Sequence, residues 1–238
     1  MVEKEVAMLR FEGVWKVYRM GRVDVVALRD VSLEVGEGEF VVVLGPSGSG
    51  KTTMLNIAGG IDRPTRGRVF FKDLEISSFD EKGLTDFRRN HVGFVFQFFN
   101  LVPTLTAKEN VQLAAELVDD PMDVDEVLEM VGLKHRANHF PFEMSGGEQQ
   151  RVAIARALVK RPDIILGDEP TGNLDFETGK KVLKVMKEIN EEMGTTFLIV
   201  THNTAISRIA DKIIHFRDGR VFGVEINSNP IDPEELSW

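Results

Sequence analysis

The sequence predicts an α/β domain on a largely parallel sheet, and three observations carry that expectation. Short apolar runs at Phe40–Leu44, Ile164–Leu166 and Phe197–Val200 have strand length and do not alternate, as strands covered on both faces do not. Between them the chain turns helical: Val182, Val185, Met186, Ile189 and Met193 recur at helical spacing over residues 178–193. Buried strands alternating with helices pair in parallel through crossover connections.

In chain order, Leu9–Val17 and Val31–Val35 read as short alternating strands, and Gly36 to Glu39 as a turn. The run Phe40–Leu44 enters a glycine-rich loop, then a helix from Lys51 to about Ala58 closed by Gly59-Gly60. Val69–Phe71 and Val92–Phe96 are further strands. The middle then changes character. Helices are expected over 106–117 and 124–131, with Asp120-Pro121 as a start signal and Gly132 as a stop. Few strand signals occur between Leu101 and Ser145, so this stretch reads as a helical insertion. Alternation resumes with a helix over 149–160, the strand Ile164–Leu166, the helix over 178–193 and the strand Phe197–Val200. Asp218-Gly219 sets a hairpin between Ile213–Phe216 and Val221–Ile226. From Asn227 the chain is polar with two prolines and reads as a loose tail.

Composition narrows the function classes. At 238 residues the chain buries one sizeable core, and 42% hydrophobic with 28% charged residues is ordinary for a globular domain. The absence of cysteine removes disulfides and thiolate metal sites and suits a reducing cytosol. A formal charge of −9 opposes phosphate-neutralising contact with nucleic acid, so none is expected. The first six residues lack the basic and apolar regions of a secretory leader, and no apolar stretch approaches the ~20 residues of a spanning helix. Any link to a membrane would run through a partner.

Three segments carry chemistry. Gly45-Pro46-Ser47-Gly48-Ser49-Gly50-Lys51-Thr52 matches G-x-x-x-x-G-K-[ST], with a buried strand before and a helix after. Glycines let backbone N–H groups turn inward around a polyphosphate, and the helix N-terminus adds its positive end. Lys51 reaches the outer phosphates, and the Thr52 hydroxyl is placed to hold Mg2+. The second segment, Gly167-Asp168-Glu169, puts two carboxylates at the C-terminal end of an apolar strand, the ligand edge of an open parallel sheet. Asp168 suits Mg2+, and Glu169 suits a water as general base. Asp-Glu-Pro is also turn chemistry, but beside a phosphate loop the catalytic reading is the stronger. In the third segment, Ser145-Gly146-Gly147 opens a helix and reads as a second anion site, or as a plain helix cap in which Glu148 completes a capping box; the two readings are compatible.

That third segment, Met144 to Arg151, resembles the signature of ATP-binding-cassette proteins, usually L-S-G-G-Q-Q-Q-R. The rest of the family pattern follows in order. Gln97 resembles the Q-loop glutamine, Asn173-Leu174-Asp175 the D-loop and His202 the switch histidine. Tyr18 resembles the residue that stacks on adenine. Gly93 to Gln97, Asn100 to Pro103, Glu109 to Val111 and Asp168 to Asp175 resemble the branch of lipoprotein-releasing, macrolide-exporting and cell-division ATPases. Met144 and Glu148 depart from the usual Leu and Gln, and residues 110–145 run about two helical turns short for that branch.

The resemblance implies a P-loop NTPase: a RecA-like, mostly parallel core, an N-terminal antiparallel β subdomain and an inserted α-helical subdomain. Core and β subdomain would span about 1–97 and 151–226, helices 98–150 and the polar tail 227–238. It implies ATP and Mg2+, with Gly45 to Thr53 on the phosphates and Thr52, Asp168 and Gln97 on the metal. Glu169, His202, Gln97 and Lys51 would serve hydrolysis. It further implies a homodimer in the ATP-bound state, each ATP shared with Ser145, Gly146 and Gly147 of the facing copy, with Asp175 also among the nucleotide-binding residues. An integral membrane permease would be the partner, with residues 98–105 lining a groove for one of its helices. The chain would then sit in the cytoplasm on the inner face of the cell membrane. Cell-division-type force transmission without transport is the alternative. Soluble cassettes of translation or chromosome maintenance, and phosphate-loop kinases, fit less well.

Overall fold

The computed structural model describes residues 7–237, so the leader reading of residues 1–6 lies outside the described residues. Strands β1 (Leu9–Met20) and β2 (Val23–Val35) form an antiparallel hairpin, longer than the two short strands expected. Its tip, from Arg19 to Asp24, is exposed on both faces, so no hydrophobic alternation marks it, and ladder hydrogen bonds hold the ribbon. After β3 (Phe40–Leu44) and α1 (Lys51–Ala58), β4 (Arg66–Phe71) pairs with β1 and the short β5 (Leu74–Glu75) with β4. The result is a four-stranded antiparallel sheet of order β2-β1-β4-β5.

The helix α2 (Glu81–His91) has no counterpart in the expectations above, although its signals are conventional. Asp80 caps it through the Gly83 N–H, Arg88, Arg89 and His91 occupy its last turn, and Leu84 and Phe87 are its buried face. Next come β6 (Val92–Phe96), α3 (Ala107–Ala115), α4 (Val124–Met130) and α5 (Gly146–Leu158). Asp123, not Asp120, caps α4, by accepting from the Asp125 and Glu126 N–H groups. The chain closes with β7 (Ile164–Asp168), α6 (Phe176–Met193), β8 (Thr196–Thr201), β9 (Lys212–Arg217) and β10 (Arg220–Ile226).

The six-stranded sheet runs β10-β9-β3-β8-β7-β6; β9 to β6 are parallel and β10 is antiparallel. Its central strands β3, β7 and β8 are buried on both sides, whereas β10 at the edge is largely exposed. Phe40, Val42 and Leu44 of β3 join the core under α3 to α6, while Val41 and Val43 join the core that holds α1 and the antiparallel sheet. The unbroken apolar run in the sequence follows from this double cover. Register aligns Leu44 with Thr201, Val200 with Asp168 and Asp168 with Phe96. One sheet edge therefore delivers Gly45, His202, Glu169 and Gln97 as the residues that follow four neighbouring strands.

The C-terminal segment is not loose. Pro233 and Leu236 are buried, Leu236 within the core that includes α6, and Glu234 pairs with Lys184 of that helix. Ile231 and Leu236, set apart in a stretch that is mostly polar, are too sparse a pattern to announce this docking.

Candidate active site

The loop after β3 owes its shape to backbone freedom at a few points. Gly50 has φ 102°, and a Cβ there would lie 2.5 Å from the Ala27 carbonyl oxygen. No side chain caps α1, so its first-turn N–H groups remain available to an anion. Beneath the loop the Ser49 hydroxyl is buried without a partner, an orphan donor that a bound phosphate oxygen would satisfy. These features fit a polyphosphate.

Lys51 is buried, and its ammonium donates to the carbonyls of Gly45 (2.6 Å) and Pro46 (3.0 Å). Burial pulls its pKa below the ordinary lysine value, while Glu169 and Asp168 pull the other way. The Thr52 hydroxyl donates to Asp168 Oδ1 at 3.3 Å, and burial raises the Asp168 pKa. Among the described residues no cluster of three or more His, Cys, Asp or Glu is placed to hold a metal. Thr52, Asp168 and Gln97 nevertheless line one cleft and offer hard oxygen donors. That set fits Mg2+, which takes one or two carboxylates and completes its shell with phosphate and water.

Glu169 stands in the left-handed region at φ 47°, a conformation costing on the order of 1–3 kcal/mol for a side-chain-bearing residue. Its surroundings hold it there. The backbone N–H donates to Val200 O (2.9 Å), Oε2 accepts from the Thr201 hydroxyl (2.8 Å), and Oε1 lies 2.8 Å from His202 Nδ1. Gln97 and Asn173 bond reciprocally: Gln97 Nε2 donates to Asn173 Oδ1 (3.1 Å) and Asn173 Nδ2 to the Gln97 carbonyl (3.0 Å).

A cleft of about 530 Å³ gathers Ser47, Gly48, Gly50, Lys51, Thr52, Thr53, Gln97, Asp168 and Glu169. Sequence reasoning missed its other wall, built by Val25, Ala27 and Arg29 of β2 and by Asp218 in the β9–β10 turn. No motif marks those positions. Gly45, Pro46 and His202 border an adjoining depression, so His202 reaches the cleft through Glu169. Tyr18 lies beside Thr53 and gives its hydroxyl to Asp62 (2.7 Å) without lining the cleft.

Ser145, Gly146, Gly147 and Asp175 are also absent from the cleft wall. Ser145 caps α5: its hydroxyl and its N–H each donate to Glu148 Oε2 at 2.8 Å. Gly147 is buried against α6, where a Cβ would come within 2.1 Å of Thr178 Cγ2. Asp175 caps α6 through the Thr178 N–H at 3.1 Å. The structure thus brings one set of expected site residues together and leaves Ser145, Gly146, Gly147 and Asp175, the other expected set, elsewhere on the chain.

Known proteins resemble the chain over most of its length. A family model described as ABC transporter matches residues 28–172. An ABC transporter ATP-binding protein of Methanocaldococcus jannaschii is 48% identical over 223 residues, covering 90% of this chain and 95% of that protein. A dimeric post-hydrolysis structure of that archaeal cassette, bound to ADP and Pi, matches with a TM-score of 0.84 over 92% of this chain and 98% of its own. The lipoprotein-releasing system ATP-binding protein of Bacteroides fragilis is 43% identical over 90% of this chain and 100% of its own length. The chain spans only 50% of a Mycoplasma pneumoniae ABC transporter ATP-binding protein that is 44% identical over 97% of this chain.

Proposed function

The chain belongs to the ABC transporter family, and on that premise we propose that it is the ATP-hydrolysing motor of a separate membrane permease, working as a head-to-tail homodimer. One observation carries the pairing: the two helix ends expected to bind anions, at α1 and α5, lie apart, and only the first faces the cleft. In a head-to-tail pair each ATP lies between Lys51 of one copy and Ser145, Gly146 and Gly147 of the other, near Asp175. That the archaeal relative is dimeric and binds ADP and Pi supports a nucleotide-binding pair.

Hydrolysis adds water to the γ-phosphorus, breaks the β–γ bridging bond and releases ADP, phosphate and a proton. Phosphoryl transfer depends on positioning and charge neutralisation. Lys51 and the N–H groups of α1 hold the outer phosphates, and the β2 side of the cleft flanks the base, with Tyr18 behind Thr53 at its margin. Glu169, aimed by Thr201 and His202, takes the proton of the attacking water. Thr52, Asp168 and Gln97 would hold Mg2+, which supplies charge neutralisation at the phosphates when bound. His202 contacts Glu169 and lines a depression shared with Gly45 and Pro46, which suits sensing of the γ-phosphate.

For the membrane partner the supporting features are local. No helix among the described residues is long and apolar enough to cross a membrane, so the chain would sit on the cytoplasmic face through the permease. Phe98, Val102 and Pro103 are exposed just after Gln97, and Asn110 pins their segment by bonding to both the N–H and the carbonyl of Val102. Extrusion of lipoprotein, peptide or macrolide-type cargo follows the relatives, whose names include a lipoprotein-releasing system. The test is a pull-down of tagged Glu169→Gln with ATP and Mg2+ from detergent-solubilised membranes. Stoichiometric recovery of a polytopic membrane protein supports the motor reading; recovery of ribosomes or DNA-associated proteins alone rejects it.

A further inference from the structure

The second anion site is not ready to receive an anion as it stands. The proton of the Ser145 hydroxyl is committed to Glu148 Oε2, as is the Ser145 N–H. The Glu148 N–H in turn lies 3.3 Å from Ser145 Oγ, so the box closes on itself. A carboxylate therefore stands at the position where the proposed pairing would bring a nucleotide triphosphate, also an anion. Left alone, that charge would repel the γ-phosphate and retain the hydroxyl the phosphate needs.

The fold supplies a counter-charge from a different segment. Arg136, in a short 3-10 turn after α4, donates from Nε to Glu148 Oε1 at 3.0 Å, and Glu148 is largely covered. The same guanidinium lies 3.1 Å from His139 Nε2, and His139 Nδ1 is buried without a partner. Arg151, one turn further along α5, also feels the Glu148 charge. The Ser145 N–H and hydroxyl, with Arg136, hold the Glu148 carboxyl below the usual carboxylate range, so the group is charged at neutral pH. Each Glu148 oxygen has a separate occupation, Oε2 on Ser145 and Oε1 on Arg136. If Oε2 releases Ser145, the Arg136 contact remains to hold the charge.

Resting on the head-to-tail reading above, we propose that Glu148 and Arg136 form a latch on Ser145. Glu148 keeps the hydroxyl in the cap until the partner copy's nucleotide takes it, and Arg136 then retains the carboxylate and offsets its charge. Both are positioning residues; neither touches the reacting atoms. The latch ties the segment after α4 to the second anion site, so displacement of that segment would alter affinity for ATP across the pair. Truncating Arg136 removes the hydrogen-bonded counter-charge and leaves only the more remote Arg151 to offset the carboxylate beside the phosphate; losing a charge-assisted bond of this kind weakens binding about tenfold or more.

The test uses the full chain with Glu169→Gln as parent and measures, by light scattering, the ATP concentration that half-converts monomer to dimer. Arg136→Ala raises that concentration about tenfold, and adding Glu148→Gln restores it, since glutamine keeps the cap and removes the charge. Arg136→Lys stays near the parent. Nucleotide binding by the isolated monomer is unchanged throughout, because Lys51 and its loop lie elsewhere. Arg136→Gln repeats the measurement should Arg136→Ala fail to fold. A purely structural Arg136 would not be rescued by Glu148→Gln, and that result overturns the latch. So does a parent that dimerises with ATP while Arg136→Ala behaves like it. A parent that stays monomeric at saturating ATP overturns the head-to-tail reading and, with it, the latch.

Discussion

Gly147 separates two reasons for a glycine in the signature segment: close approach of an anion, and close approach of α6. A Cβ added at Gly147 falls 2.1 Å from Thr178 Cγ2, whereas carbon atoms in contact sit about 3.5–4.0 Å apart. Gly147 is buried within α5, and the α6 cap at Asp175 fixes the first turn that carries Thr178. The two helices must therefore part by roughly 1.5 Å, or the threonine must leave its rotamer. Overpacking of this kind costs about 1–3 kcal/mol, and each kcal/mol lowers the melting temperature of a chain this size by roughly 2–4 °C. Urea and thermal denaturation of Gly147→Ala should show that loss without nucleotide. Thr178→Ala in the same chain should recover most of it, because the next nearest atom, Thr178 Cβ, is 3.6 Å away. A Gly147→Ala chain that melts with the wild type would refute the packing account and leave anion approach as the reason for the glycine.

Two further outcomes follow from the site and its support. Lys51→Ala removes the buried ammonium that bridges the loop carbonyls and should weaken ATP binding by tenfold or more, read by calorimetry, with the melting temperature little changed. Lys160 donates to the carbonyls of Arg88 (2.9 Å) and Val92 (2.7 Å), and burial lowers its pKa to about 8. An unfolded lysine titrates near 10.4, so between about pH 8 and 10 the unfolded chain holds the extra proton and this group's contribution to stability rises with pH. The urea midpoint of wild type relative to Lys160→Met should therefore climb from pH 7.5 to 9.5; a constant difference would contradict the burial argument.

What the sequence made legible was whatever local pattern determines. The run Phe40–Leu44 announced a strand covered on both faces, and the loop after it announced its own glycines. Asp168 and Glu169 were readable because an apolar strand ends on them, but the φ of 47° that aims Glu169 was not, since Thr201 and His202 impose it from another strand. The helix α2 was missed although Asp80 and its basic last turn were in plain view, because only Leu84 and Phe87 mark its buried face. Val25, Ala27 and Asp218 reach the cleft through sheet pairing and a hairpin turn, with no signature of their own. The partnership of Gly147 with Thr178, and that of Glu148 with Arg136, join segments whose separation no period connects.

The central claim is that each ATP site is completed by two copies, and trans-complementation tests it most directly. Lys51→Ala and Ser145→Arg are each expected to abolish ATP hydrolysis alone. Mixed in equal amounts, they form heterodimers with one doubly damaged site and one intact site, joining Lys51 of one copy to Ser145 of the other. The account predicts that phosphate release reappears in the mixture and in neither parent. If the mixture stays as inactive as its components while light scattering shows that heterodimers form, the two elements do not serve a shared site and the head-to-tail account is wrong.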